Sequence, residues 1–164
     1  MKTLFIARHG EAVSVGAPGV YSDFDRHLSE EGEQKIKKQA ESLLKLGATW
    51  QKVLCSPLVR ARQTAELLNS PQAAPLEIFE ALGDRPSFSE VRKKIEASHE
   101  ERILLVTHQP FVVELTSYLL TGEMKTAFHF STGAMACLRI YQLSESPRGE
   151  LEWFKPSSSL QAFI

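Results

Sequence analysis

What this chain lacks narrows its possibilities first. It has two cysteines, Cys55 and Cys137, too few for a disulfide framework. Each sits in an apolar, strand-like run, where a buried, inert thiol is expected. Excess charge of either sign is missing too: 19 lysines and arginines face 20 acids, a formal net charge of −1. No global field draws the chain to nucleic acid or to a membrane surface, so any anion must be held by a local cluster of cations. Long apolar runs are absent, none approaching the roughly 18 residues of a membrane span. The apolar start, Leu4 to Ala7, is cut off by Arg8 and His9, too short for the apolar stretch of a secretory signal. There is no His-Glu-x-x-His, no CxxC and no spaced carboxylate cluster, so neither metal nor cofactor is expected. Without repeats, low-complexity tracts or linkers, residues 1–164 read as one domain, a cytoplasmic enzyme or binding module.

What is present alternates between strand and helix. Leu4 to Ala7 reads as a buried strand ending in Arg8-His9-Gly10. The polar, Gly- and Ser-rich stretch from Glu11 to His27 reads as an exposed loop. Ser29 can cap a helix carrying Glu30 and Glu31 in its first turn and Ile36, Ala40, Leu43 and Leu44 on one face, with Gly47 as its stop. Lys52 to Cys55 is a second strand, and Ser56-Pro57 is expected to open a second helix bearing Leu58, Ala61, Ala65 and Leu68. Pro75 to Phe79 reads as an edge strand, and the Ser87/Glu90 spacing as a cap on a short helix. Arg102 to Thr107 is the clearest buried strand and leads through His108-Gln109-Pro110 into an apolar helix ending near Leu120. Ala134 to Tyr141 and Glu150 to Phe154 are late strands, and the last ten residues a tail. The order implies a three-layer α/β/α sandwich with a mostly parallel central sheet and an antiparallel edge.

Ligands of such sheets bind beyond the carboxyl ends of the strands. There the sequence places Arg8 and His9, then Arg60 one turn into the second helix, then His108. Any one of these has an ordinary reading, a turn histidine or a solvated surface arginine. Four at equivalent positions imply a cationic pocket in a chain without net positive charge. Arginine presents a planar fork of donors matched to phosphate oxygens, so a dianionic phosphoryl group is the expected occupant. Paired histidines could ligate zinc, but the adjacent arginines would repel the ion. Arg62, His27, His99 and His129 have nothing nearby to complete a site and are read as surface residues.

The ordered set Arg8-His9-Gly10, Ser56-Pro57-Leu58-x-Arg60-Ala61-x-Gln63-Thr64-Ala65 and His108 resembles the histidine phosphatase superfamily, with its phosphoglycerate mutase-like fold. Glu11-Ala12, Asp25-Arg26-x-Leu28-Ser29-x-x-Gly32, Thr107-His108-Gln109-Pro110 and Ser131-Thr132-Gly133-Ala134 narrow the likeness to bacterial SixA-type phosphohistidine phosphatases. The resemblance runs from residue 4 to about residue 140. It implies His9 as the nucleophile, Arg8, Arg60 and His108 as ligands of the phosphoryl oxygens, and Arg26 lining the same pocket. Where ester-cleaving members carry an acidic proton donor, only Glu80, with Asp84 behind it, stands in the corresponding region. Fewer than fifty residues separate Arg60 from His108, which matches the short, lidless SixA type and an open site that admits a protein surface.

These residues together suggest a metal-independent phosphatase working through a phosphohistidine on His9 and releasing inorganic phosphate. The substrate expected from the resemblance is a phosphorylated protein, a histidine phosphocarrier domain of a signalling system, or else a small phosphorylated molecule. No nucleic acid or membrane partner is expected. Two alternatives stand beside this reading: a phosphatase or mutase acting on small phosphate esters, and a non-catalytic module that binds phosphoryl groups.

Overall fold

Strand β1 (Lys2–Arg8) is buried from Leu4 to Ala7, and in the computed structural model its neighbours are β4 (Arg102–Thr107) and β5 (Met135–Gln142). The structure describes residues 1–125 and 128–161. Six strands form one sheet in the order β3-β2-β4-β1-β5-β6, with β2 at Lys52–Cys55, β3 at Leu76–Ile78 and β6 at Arg148–Lys155. The pairs β3/β2, β2/β4 and β4/β1 are parallel, and β1/β5 and β5/β6 antiparallel. The expected mostly parallel sheet with an antiparallel edge is thus present.

Strand side chains alternate between two faces, and each face has its own core. Phe5, Ala7, Val53, Cys55, Leu104 and Val106 pack under α1 (Glu30–Lys45) and α2 (Val59–Asn69). Leu4, Ile6, Leu54, Ile103 and Leu105 pack under α3 (Phe88–Ala97) and α4 (Phe111–Thr121). The three layers follow from this alternation. Both cysteines are buried, and burial pushes the thiol of Cys55 up to about 12 and that of Cys137 to about 11, far from thiolate chemistry. Among the described residues no helix is long and apolar enough to cross a membrane.

Local signals hold at most boundaries. The Ser29 hydroxyl accepts from the amide of Gly32 at the start of α1, and that of Ser87 from the amide of Glu90 at the start of α3. Three expectations shift. The second helix begins at Val59, not at Ser56-Pro57: the Ser56 hydroxyl accepts from the Leu58 amide at 3.2 Å, and Leu58 remains extended. The Glu11–His27 loop is not wholly exposed, since Val20 is buried and Ala12 bridges to Leu28. The expected tail holds a short helix, α5 (Ser157–Leu160), which buries Leu160 in the core beneath α1, and the Ser157 hydroxyl donates to Gln39 Oε1 at 3.0 Å; its last three positions lie outside the described residues. One apolar residue among serines gives no periodicity to read.

Candidate active site

The sheet order sets β2, β4 and β1 side by side, so Ser56, His108 and His9 leave adjacent strand ends. His9 is anchored through its backbone. Its amide donates to Thr107 O at 3.0 Å, and its carbonyl accepts from the Gly133 amide at 2.9 Å. The next amide, Gly10, donates to Thr64 Oγ1 at 3.0 Å, while Thr64 donates to Arg60 O at 2.7 Å, tying the strand end to α2. Gly10 lies so close to α1 that an added Cβ would meet Ile36 Cγ1 at 2.8 Å. Gln63, from the same turn of α2, accepts the Leu28 amide at 2.7 Å.

His9 is buried, only 4 % exposed. Its Nδ1 lies 2.7 Å from Gly10 O, which fixes the proton on Nδ1 and leaves a lone pair on Nε2. Arg60 Nε donates toward that lone pair at 3.2 Å. Burial above all, then the charges of Arg60, Arg8 and His108, hold the imidazole pKa down to about 3, against the raising effect of Gly10. His9 is therefore a neutral imidazole at any ordinary pH.

Arg60 occupies the second position of α2, only 5 % exposed. Its Nη1 donates to Asp23 O at 2.7 Å, and its Nη2 to Asp23 Oδ2 at 3.1 Å. The other carboxylate oxygen of Asp23 takes Arg26 Nη1 at 3.1 Å, and Arg26 Nε is held on Val13 O at 2.8 Å. Partial burial pushes the Asp23 carboxyl up, but its hydrogen bonds to Arg26 and Arg60 and their charges outweigh this and hold it below the usual range. Asp23 is the residue that the sequence reading missed. Only its spacing of three from Arg26 hinted at it, and Asp25 offers as good a case on paper, yet Asp25 accepts from Ser22 instead.

Arg8 Nη1 donates to Phe130 O at 2.8 Å, while its buried Nε finds no acceptor among the described residues. Burial, then Arg60 and Arg26, lower its pKa. His108 places Nε2 at 2.8 Å from Gly83 O and Nδ1 at 3.2 Å from Gln109 O. A neutral imidazole has one N–H for these two carbonyls, and only the doubly protonated ring serves both.

One cavity of about 530 Å³ is lined by Arg8, His9, Arg26, Arg60 and His108, so five of the six residues singled out in the sequence share a space. Glu80 does not line it. Glu80 lies exposed on a 3-10 turn (Glu80–Leu82), and Asp84 reaches the cavity instead, beyond the bend that Gly83 makes. His27, His99, His129 and Arg62 also lie outside it. Among the described residues no three histidine, cysteine or carboxylate side chains are grouped to hold a metal ion. A buried neutral imidazole ringed by guanidinium groups, at the carboxyl edge of an α/β sheet, suits nucleophilic attack on a phosphoryl group.

Comparison with known proteins places the chain in a class with this chemistry. Residues 4–87 match the model of the histidine phosphatase superfamily (branch 1), and the chain belongs to that superfamily; it is a phosphatase. It is 32% identical over 155 residues to the phosphohistidine phosphatase SixA of Escherichia coli K12, covering 92% of this chain and 91% of that protein. An uncharacterized protein of Picosynechococcus sp. is 34% identical over 124 residues, 73% of this chain and 74% of the relative. Among solved structures, the protein histidine phosphatase SixA complexed with tungstate superposes with a TM-score of 0.82 at 28% identity, covering 96% of this chain and 99% of that one.

Proposed function

We propose that the protein removes phosphoryl groups from phosphohistidine on a protein, through a covalent phosphohistidine on its own His9. The observation that carries this reading is the His9 ring: Nδ1–H is held by Gly10 O and the Nε2 lone pair faces the guanidinium cluster. The Nε2 lone pair attacks phosphorus, and the bond to the leaving nitrogen breaks with its electron pair. The ring becomes a phosphoimidazolium whose positive charge rests partly on the Nδ1–H already bonded to Gly10. Water then attacks phosphorus, the P–Nε2 bond returns its pair to the ring, and inorganic phosphate leaves. Arg8, Arg26 and Arg60 neutralise the equatorial oxygens, so positive charge comes from the chain itself without a metal. His108 contributes an N–H when Nε2 exchanges Gly83 O for a phosphoryl oxygen.

Similarity to SixA supports the N-phosphoryl substrate, and so does chemistry. A protonatable phosphoramidate nitrogen leaves with less acid help than an alkoxide. Asp84 favours the second reading, cleavage of small phosphate esters, because it sets a carboxyl at the cavity from which a leaving oxygen could take a proton.

The test is a phosphate-release panel of a phosphorylated histidine carrier domain, phosphoramidate, a phosphoserine peptide and sugar phosphates. Faster turnover of the P–N compounds, unaffected by chelators, is expected; faster ester turnover would hand the site to the second reading. His9→Ala should lose turnover by at least about a thousand-fold while circular dichroism shows the fold retained. An active His9→Ala protein would remove the nucleophile.

A further inference from the structure

Arg60 presents its Nε–Nη2 edge, the edge that grips oxyanions two bonds at a time, toward His9 Nε2 on one side and Asp23 Oδ2 on the other, at 3.2 and 3.1 Å. The side chain is 6% exposed and cannot swing away to present another edge. Arg26 has likewise committed one terminal nitrogen to Asp23 Oδ1. A phosphoryl group in line with His9 Nε2 needs the same edge of Arg60, with its own negative oxygens set against a carboxylate. Two anions cannot share that edge without mutual repulsion. Asp23 is the one that can yield: its side chain is 64% exposed, on a loop, and its bonds to Arg60 and Arg26 are what hold it over the cavity.

We propose that Asp23 is a resident anion that competes with the phosphoryl group for Arg60 and Arg26, and so sets how tightly the pocket holds phosphate. The proposal rests on the phosphatase reading of the cavity and adds a function to Asp23, which lines it beside the arginines. Arg8, Arg26 and Arg60 beside His108 would hold inorganic phosphate long after hydrolysis. A carboxylate that returns to the fork as phosphate departs shortens that stay. The depressed pKa of Asp23 keeps it anionic, and therefore competitive, throughout the neutral range. In this role Asp23 acts through Arg60 and Arg26 and does not touch the reacting atoms.

The experiment titrates inorganic phosphate and vanadate into the full-length wild type, Asp23→Asn, Asp23→Glu and Arg60→Ala by calorimetry, with steady-state kinetics alongside. Asp23→Asn should bind phosphate about ten-fold more tightly, with KM and kcat both lowered as product release slows, and Asp23→Glu should stay near wild type. Unchanged or weaker phosphate binding in Asp23→Asn overturns the competition and makes Asp23 a support for Arg60 only. In the wild type, which needs no variant to fold, saturating phosphate should speed amide hydrogen exchange in residues 21–26, because the tether is released. Slower or unchanged exchange there also counts against the proposal. A failure of the phosphatase reading looks different: the folded wild type would bind neither anion, and Arg60→Ala would change nothing.

Discussion

At the scale of single residues, the burial that keeps His9 neutral, as the proposed attack requires, also ties its ring to stability. Its pKa is about 3 in the folded protein, against an ordinary value of 6.5. Between those values the unfolded chain takes up a proton that the folded chain refuses. Stability from this group is therefore full above about pH 6.5 and is lost as the pH falls toward 3, with a slope of about 1.4 kcal/mol per unit. Urea midpoints measured from pH 4 to 7 should show this slope, and His9→Gln should flatten it by one proton; equal slopes would refute the buried neutral imidazole. Thr64 invites a similar test. Thr64→Val deprives the buried Gly10 amide of its acceptor and should cost about 1–3 kcal/mol in urea unfolding, whereas Thr64→Ser keeps the bond.

At the scale of elements, close approach governs more than propensity does. An added Cβ on Gly32, in the first turn of α1, would collide with the carbonyl oxygen of Glu11, backbone that cannot rotate aside. Gly32→Ala should therefore lower stability by about 1–3 kcal/mol and slow turnover, because Glu11 follows the His9-Gly10 pair; a neutral thermal melt would contradict the contact. Most elements were legible because their signals are local: the Ser29 and Ser87 caps, the uniformly apolar Ile103 to Val106, and the short apolar run Leu4 to Ala7. The misplaced start of α2 has a local cause as well, since the Ser56 hydroxyl and a helical Pro57 are both compatible with the same letters. α5 was not legible because Leu160 is buried by tertiary contact and not by any period of its own. The carboxylates near the site were illegible for a related reason: whether Asp23, Asp25, Glu80 or Asp84 faces the cavity depends on loop paths, and neighbouring acids on a loop look alike in sequence. His9, Arg60 and His108 were legible because a strand end fixes where the next side chain goes.

At the scale of the whole molecule, both cores share one sheet, and each central strand contributes alternate residues to each core. We propose that residues 1–164 form one cooperative unit, so fluorescence from Trp50 and Trp153, far-ultraviolet circular dichroism and phosphatase activity should be lost in one coincident urea transition. A pretransition seen by one probe alone would divide the chain. Trp50 lies against Phe5 in the core beneath α1, with ring centroids 5.6 Å apart, so it reports on that side of the sheet.

The amide of His9 rests on Thr107 and its carbonyl on Gly133, both distant along the chain. The backbone bonds that orient His9 thus come from stretches far from it in sequence, and a fragment without residues 107–133 would contain the imidazole but not its two anchors. If His9 is the nucleophile proposed above, such a fragment would hold the imidazole yet release no phosphate, so activity depends on contacts that span most of the sheet.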